Sequence, residues 1–146
     1  KRFDRDGDQR IHMHTASGLL NASHRYPSLD YTDLIKVSFA LTKNINDSYK
    51  LFRQMVFNVL TGNKDDHAKN FSFTHGEKGW SLAPAYDLAP SGGFNGNHST
   101  TIAGQGQPSK SDIIEVGTQV GLKLSHLLQI FDDVYENCTS IRQGHW

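Results

Sequence analysis

A short polar run near the middle of the chain holds most of the side chains that could carry out chemistry. The run Asn63-Lys64-Asp65-Asp66-His67-Ala68-Lys69-Asn70 combines two carboxylates, an imidazole, two ammonium groups and two amides. It lies between a predicted helix end at Gly62 and a predicted strand that begins near Phe71. Polar loops held by rigid elements are the usual place for catalytic and binding residues. We therefore expect the functional site in this loop.

The spacing within the run indicates one kind of chemistry. Asp65 and Asn70 stand as D-x-x-x-x-N, the spacing at which kinase catalytic loops place a base and a magnesium-binding amide. Such a site needs a second magnesium ligand, and Asp87 follows across a predicted hairpin. D-x-x-x-x-N also arises by chance in polar loops. The interpretation as a kinase loop therefore depends on the order in which the helix, the loop, the hairpin and Asp87 follow one another. Carboxylate and amide oxygens suit Mg²⁺ and leave positions for the phosphates of ATP.

The remaining polar residues of the loop receive supporting roles. Asp66 is interpreted as a surface carboxylate of the loop scaffold that caps a turn or pairs with Lys64 or Lys69, since exposed pairs of this kind are common. His67 is interpreted as a hydrogen-bonded scaffold residue, because the neighbouring carboxylate already fills the position of the base. Asn63 joins this scaffold, and Lys69 is a candidate for neutralising phosphate charge.

The elements that must position the loop follow from the spacing of apolar residues. Helical spacing predicts a short helix near 15–20, then helices over 32–41 (capped by Asp30 or Thr32), from Asp47 to a stop at Gly62, from Ser109 or Ser111 to about 120, and over about 124–141. Alternation over 71–73 and 80–82 predicts a small hairpin. The predicted fold class is therefore mainly α with a small β-hairpin, an α+β arrangement.

The glycine-rich stretch from Ser91 to Pro108 differs from the rest of the chain. Its composition predicts a mobile loop that contains one short strand within 98–103. Because it follows Asp87, it lies where a kinase has its activation segment and substrate platform. We expect Ser91–Gly106 to bind the target and to become ordered on binding.

Composition excludes several classes of function. Fifteen Lys and Arg residues balance fifteen Asp and Glu residues, so no overall charge draws the protein to nucleic acid or to an anionic membrane. The single cysteine, Cys138, cannot form an internal disulfide, and its apolar surroundings predict a buried, inert thiol. No apolar run is long enough for a transmembrane span or a signal peptide. These features predict a cytoplasmic protein, and a first residue other than Met suggests a piece of a longer one.

Two longer motifs resemble a known family. The string from Gly62 to Ser72, followed by Leu82-Ala83-Pro84-Ala85-Tyr86-Asp87-Leu88, is similar to the C-terminal lobe of the HipA family of bacterial serine/threonine kinases. Arg2-Phe3-Asp4-Arg5 also resembles that family's hinge between lobes. The resemblance implies that residues 1–146 form one C-lobe of a protein-kinase-like fold.

The resemblance implies roles for individual residues. Asp65 would be the catalytic base, Asn70 and Asp87 the magnesium ligands, and the backbone from Lys1 to Phe3 the edge that receives adenine. The implied cofactors are ATP and Mg²⁺.

The resemblance also implies partners. These are a HipB-type helix-turn-helix antitoxin, DNA only through that antitoxin, and a protein phosphoacceptor, since known family members phosphorylate aminoacyl-tRNA synthetases. Nothing in the chain matches an N-terminal lobe, so we expect negligible phosphoryl transfer from this chain alone.

Two alternatives remain open from the sequence. One is a non-catalytic module that binds an antitoxin or a separate N-lobe. The other is a kinase that acts on a lipid or small-molecule hydroxyl, because related folds use a similar base and metal pair.

Overall fold

The computed structural model describes residues 5–20, 29–64, 66, 70–85 and 96–145. Within these ranges the chain forms five α-helices: α1 (Ala16–Leu20), α2 (Tyr31–Thr42), α3 (Ile45–Thr61), α4 (Lys110–Gln119) and α5 (Leu124–His145). Its strands are short: β1 (Arg5–Asp6), β2 (Gln9–Arg10), β3 (His12–Thr15), β4 (Leu29–Asp30), β5 (Ser72–Gly76), β6 (Gly79–Leu82) and β7 (Thr100–Thr101). The predicted mainly helical α+β class is confirmed.

The predicted hairpin is present and belongs to a larger sheet. Strands β5 and β6 pair antiparallel, with Phe73 opposite Leu82 and Gly76 opposite Gly79. A third strand, β3, adds to the free edge of β5. The sequence analysis does not identify β3. Ile11-His12-Met13-His14 alternates apolar and polar residues, but the run is very short, and in the structure His12, Met13 and His14 are all exposed.

Helix α2 begins and ends with recognisable caps. The Asp30 carboxylate accepts a hydrogen bond from the Thr32 amide at 2.9 Å, which selects Asp30 from the two predicted caps. At the other end Lys43 adopts a left-handed conformation, and its amide bonds to the Phe39 carbonyl at 2.9 Å. The prediction of this helix is confirmed.

Helix α3 ends at Gly62 as predicted, but the predicted cap at its start is wrong. The cap is Asn44, whose side chain accepts from the Asn46 amide at 3.0 Å. Asp47 lies in the first turn and is buried, and its carboxylate accepts from the Leu82 amide at 3.2 Å. The carboxylate expected to cap α3 therefore joins the helix to the hairpin.

The C-terminal helices pack closely on each other. Ser109, one of the two predicted caps, forms a capping box with Asp112 at the start of α4. Gly117 in α4 allows close approach, because a Cβ atom there would lie 2.5 Å from Cδ1 of the buried Leu127 of α5. Cys138, also on α5, is buried as expected.

The core lies between the helices and one end of the sheet. Helix α3 contacts both α2 and α5, and α2 contacts β6. The largest fully buried side chains of the core are Tyr31, Leu34, Ile35, Leu51, Phe52, Met55, Val56, Phe71, Ile102, Ile113 and Leu127. Within the described ranges, no helix has the length and apolar character that a membrane crossing requires.

The glycine-rich stretch is only partly described, and its described part contains the predicted strand. Residues 91–95 lie outside the described ranges. Thr100 and Ile102 are fully buried, and β7 pairs parallel with β4, so the predicted strand is confirmed. His98 is buried with them, so this strand is packed into the protein, and the mobile loop predicted around it stays a prediction.

Candidate active site

The predicted site residues divide between described and undescribed parts of the chain. Asn63 and Lys64 directly follow the end of α3, Asp66 lies beyond them, and Asn70 leads into β5. The predictions for Asp65, His67, Lys69, Asp87, Lys1 and Phe3 fall on residues outside the described ranges. The structure therefore defines the two ends and one interior residue of the predicted catalytic loop.

Asp66 is a buried carboxylate of the loop with four hydrogen-bond partners. Its side chain is 1% exposed. One carboxylate oxygen, Oδ2, accepts from the Tyr31 hydroxyl at 2.7 Å and lies 2.8 Å from Nδ1 of His98. The other, Oδ1, accepts from the amides of Ser99 at 2.9 Å and Thr100 at 3.3 Å. These partners hold the carboxylate from both sides.

The interpretation of Asp66 as a surface carboxylate is wrong. The carboxylate points into the protein, where backbone amides and a buried ring replace the solvent that a surface residue would contact. A buried polar group is costly unless its hydrogen bonds are made, and here four groups bind the two oxygens. Asp66 therefore anchors the loop to the protein interior.

The backbone of the loop is held by the same stretch of chain, which we call the clasp segment (residues 98–101). The Ser99 amide and hydroxyl bond to the Lys64 carbonyl at 3.1 and 3.2 Å. The Thr100 hydroxyl donates to the Asp66 carbonyl. The clasp segment thus binds the loop backbone immediately before and immediately after Asp65.

A chain of buried side chains extends the anchor to the helices. The side-chain amide of Asn58, on α3, donates to the Tyr31 hydroxyl oxygen at 3.0 Å. The Asn63 side chain donates to the side-chain oxygen of Asn58 at 3.1 Å. The Asn63 backbone amide donates to the Asn58 backbone carbonyl at 2.9 Å. This chain of bonds joins α2, α3 and the start of the loop.

The far end of the loop is fixed by aromatic packing. Phe71 is buried and meets the Tyr31 ring edge-on, with ring centroids 5.6 Å apart. The Phe71 carbonyl accepts from the Ala16 amide at 2.8 Å, and the Ser72 carbonyl accepts from the Ala83 amide at 2.9 Å. The segment that leads toward Asp87 therefore begins at Ala83 with a hydrogen bond to Ser72, which is two residues after Asn70.

Asp30 attaches the clasp segment to the start of α2. Its carboxylate accepts from the Thr101 hydroxyl at 2.7 Å and the Gly104 amide at 2.8 Å, in addition to the Thr32 amide. Burial acts to raise the pKa of the Asp30 carboxyl, but these hydrogen bonds outweigh it and the pKa lies below its ordinary value. Asp30 favours its ionised form as a result.

Burial raises the pKa of the Tyr31 phenol well above its ordinary value, and the charge of Asp66 acts in the same direction. The folded protein therefore keeps a proton that the unfolded chain loses above about pH 10, and stability falls as the pH rises past that value. We expect the free energy of unfolding of the wild type to fall more steeply between about pH 9 and 11 than that of Tyr31→Phe. Urea titrations at several pH values would measure both slopes, and parallel curves would contradict the expectation.

The described residues hold no ready-made metal cluster. Among them, no group of three or more His, Cys, Asp or Glu side chains is placed to bind a metal ion. His12 and His14 are exposed on β3, and their rings lie 5.6 and 5.8 Å from the Trp80 ring. Of the predicted magnesium ligands, the structure describes only Asn70, which is half-buried.

Sequence reasoning missed the partners that hold the loop. Tyr31 and the clasp segment lie far from the loop in sequence. Asn58 is only five residues before Asn63, but no local motif connects any of these residues to the loop. A polar tyrosine at a predicted helix start and a histidine in a glycine-rich stretch were the available signals, and neither is specific. Only tertiary structure brings them together.

Comparison with known proteins identifies the family. A family model described as "HipA-like C-terminal domain" matches residues 1–141, and the chain belongs to this family. Two curated relatives are a "Putative kinase" of Haemophilus influenzae and the "Putative kinase Y4mE" of Sinorhizobium fredii. The first is 31% identical over 98 residues, which cover 60% of this chain and 29% of the relative. The second is 31% identical over 99 residues, covering 60% of this chain and 24% of the relative.

A solved structure shows the same fold. It is a chain in the complex of the Shewanella oneidensis MR-1 toxin–antitoxin system HipA, HipB and its operator DNA. The TM-score is 0.79 at 21% identity, over 94% of this chain and 39% of the other. The chain thus spans well under half the length of these similar proteins.

Proposed function

We propose that the full-length protein carrying this chain is an ATP- and magnesium-dependent serine/threonine protein kinase of the HipA toxin type. In this proposal the chain supplies the catalytic loop and the magnesium-binding groups. Membership of the HipA-like family, the relatives' name "putative kinase" and the fold support it.

The proposed roles follow the order of residues along the loop. Asp65 orients the acceptor hydroxyl and takes its proton, and Asn70 and Asp87 hold magnesium. Magnesium, when bound, neutralises charge on the phosphates. Lys69 adds positive charge near the phosphates, and the backbone of Lys1–Phe3 receives adenine. Asn63, Asp66 and His67 form the scaffold of the loop.

The observation that carries the proposal is the double attachment of the loop around Asp65. The carbonyls of Lys64 and Asp66 both accept hydrogen bonds from the clasp segment, and the Asp66 side chain is buried beneath it. Transfer between bound groups needs reacting atoms held in a narrow range of positions. A loop held by hydrogen bonds on both sides of one carboxylate meets that need.

The remaining parts of the kinase belong to the full-length protein. We propose that an N-terminal lobe outside this chain covers the phosphates and that the 146-residue chain alone has negligible activity. A HipB-type antitoxin is the proposed partner, with DNA contacted through it, and the acceptor is a protein hydroxyl, with an aminoacyl-tRNA synthetase as first candidate. The proposed location is the cytoplasm.

The test is phosphoryl transfer by the full-length protein. ATP labelled at its γ-phosphate is incubated with the purified protein, alone and with an extract of its source cells, in the presence of magnesium or of excess EDTA. We expect label on serine or threonine of the kinase or of an extract protein, and loss of that label in EDTA because the phosphates lose their metal.

Each other result contradicts part of the proposal. An absence of label in both magnesium samples would overturn kinase activity. Label that is confined to lipid or small molecules would overturn the protein acceptor and support the alternative acceptor. Equal labelling with EDTA would overturn the metal requirement.

A further inference from the structure

The Asp66 carboxylate lies in a site fully occupied by donors. Two backbone amides can only donate, and they bind Oδ1 at 2.9 and 3.3 Å. The Tyr31 hydroxyl donates to Oδ2 at 2.7 Å. An ionised carboxylate can only accept hydrogen bonds, so it suits these three donors. The fourth contact, with His98, is then a hydrogen bond only if Nδ1 carries a proton and donates it to Oδ2. The imidazole is the one side-chain donor that the clasp segment contributes to this carboxylate.

His98 is itself held in place. It is 2% exposed, and its backbone amide bonds to the Gly106 carbonyl at 2.9 Å. Gly106 leaves no room for a side chain, because a Cβ atom there would lie 2.8 Å from the side chain of Asn97. Between His98 and Gly106 the chain turns back on itself, and the backbones of Ile102 and Gln105 are hydrogen-bonded to each other across this turn. The imidazole therefore extends from a fixed turn to a buried carboxylate.

The connection reaches the residue next to the proposed base. His98 contacts Asp66, and Asp66 is the residue that follows Asp65 in the sequence. His98 also lies in the chain beyond Asp87, so its bond to Asp66 joins the part of the chain that follows the proposed magnesium carboxylate to the catalytic loop. A displacement of about 1 Å in a reacting group can lower a rate by about 100-fold.

We propose that His98 is a positioning residue: through its bond to Asp66 it holds the catalytic loop where Asp65 meets the acceptor hydroxyl. The inference rests on the proposed function and assigns a role to a residue outside the loop. His98 acts through Asp66, and it is not itself a catalytic residue.

The test compares three variants of the full-length kinase with γ-labelled ATP. His98→Leu removes the donor while filling much of the ring's volume, and His98→Asn returns an N–H donor close to the position of Nδ1. Tyr49→Phe is the matched control, because it removes a side-chain contact between α3 and the Lys123 amide at 3.1 Å without touching the loop. All rates are divided by the folded fraction, measured by thermal unfolding.

We expect His98→Leu to lower kcat by about 10- to 100-fold while KM for ATP changes by less than about 3-fold. His98→Asn recovers at least about a third of the wild-type kcat, because the hydrogen bond to Asp66 is restored. Tyr49→Phe stays within about 2-fold of the wild type. Hydrogen exchange of the amides in 63–70 is faster in His98→Leu than in His98→Asn, and this readout does not depend on activity.

The outcomes separate this inference from the proposed function. If the wild type transfers phosphate and His98→Leu keeps its kcat, the inference is overturned and the proposed function stands. Equal losses of kcat in the Leu and Asn variants, or a loss that disappears after correction for folded fraction, would also overturn it. A wild type without transfer overturns the proposed function. Hydrogen exchange of the amides in 63–70 then decides whether His98 holds the loop, and equal exchange in the Leu and Asn variants overturns that as well.

Discussion

Asp65→Asn is expected to lower phosphoryl transfer by the full-length protein by about 100- to 10,000-fold, the usual contribution of a general base. An amide has nearly the shape of the carboxylate but cannot accept the hydroxyl proton. The proposed magnesium ligands, Asn70 and Asp87, are unchanged, so we expect ATP to bind the variant with an affinity within about 3-fold of the wild type. Initial rates with γ-labelled ATP and a separate ATP-binding titration measure the two quantities.

A distant carboxylate provides the control for this substitution. Asp133 on α5 is about half exposed and lies 3.7 Å from Arg53 in a long ion pair, which contributes little to stability. Asp133→Asn makes the same chemical change and should leave the rate unchanged. If Asp65→Asn kept more than about a third of the wild-type rate, the role of this residue as base would be rejected.

Asp66→Ala is expected to lower the free energy of unfolding by about 3–5 kcal/mol, because it removes the shared acceptor of a buried hydrogen-bond network. The substitution leaves the Tyr31 hydroxyl, the His98 ring and two backbone amides without their acceptor. All of these groups are in the interior or at its edge, where water replaces the lost bonds poorly. Urea titrations of the 146-residue chain measure the change.

Asp66→Asn provides a graded comparison at the same position. Its amide oxygen can still accept from the Ser99 and Thr100 amides, while its NH₂ group faces the Tyr31 oxygen and the His98 ring, either of which can act as an acceptor. We therefore expect a smaller loss, about 1–3 kcal/mol. A loss below about 1 kcal/mol for Asp66→Ala would show that the anchor contributes little to folding. Asp133→Asn again provides the surface control.

Those parts of the fold that depend on neighbouring residues were predictable from the sequence. The period of apolar residues located α2, α3 and the hairpin, and Gly62 marked the end of α3 because a left-handed stop favours glycine. The cap of α3 shows where local rules fail. Asn44 and Asp47 are both good caps within one turn of each other, and the choice depends on Leu82, whose amide binds Asp47 from 35 residues away.

The candidate site divides in the same way. The spacing of Asp65 and Asn70 is a local pattern, and it indicates the loop that also contains the buried carboxylate of Asp66. The partners of Asp66 come from α2 and the clasp segment, at separations of 32 to 35 residues, and a single sequence contains no record of such pairs. A buried anchor and a surface carboxylate therefore look alike in the sequence, and only burial distinguishes them.

The parallel pairing of β4 with β7 also has a consequence for the order of folding. The bond between Asp30 and Thr101 closes a separation of 71 residues, and closing a long loop costs chain entropy before the contact returns any energy. The hairpin and the pair of α2 and α3 involve shorter separations, so they can form earlier. We expect the clasp segment to dock late, which means that a nascent chain has most of its secondary structure before its proposed catalytic loop is held in place.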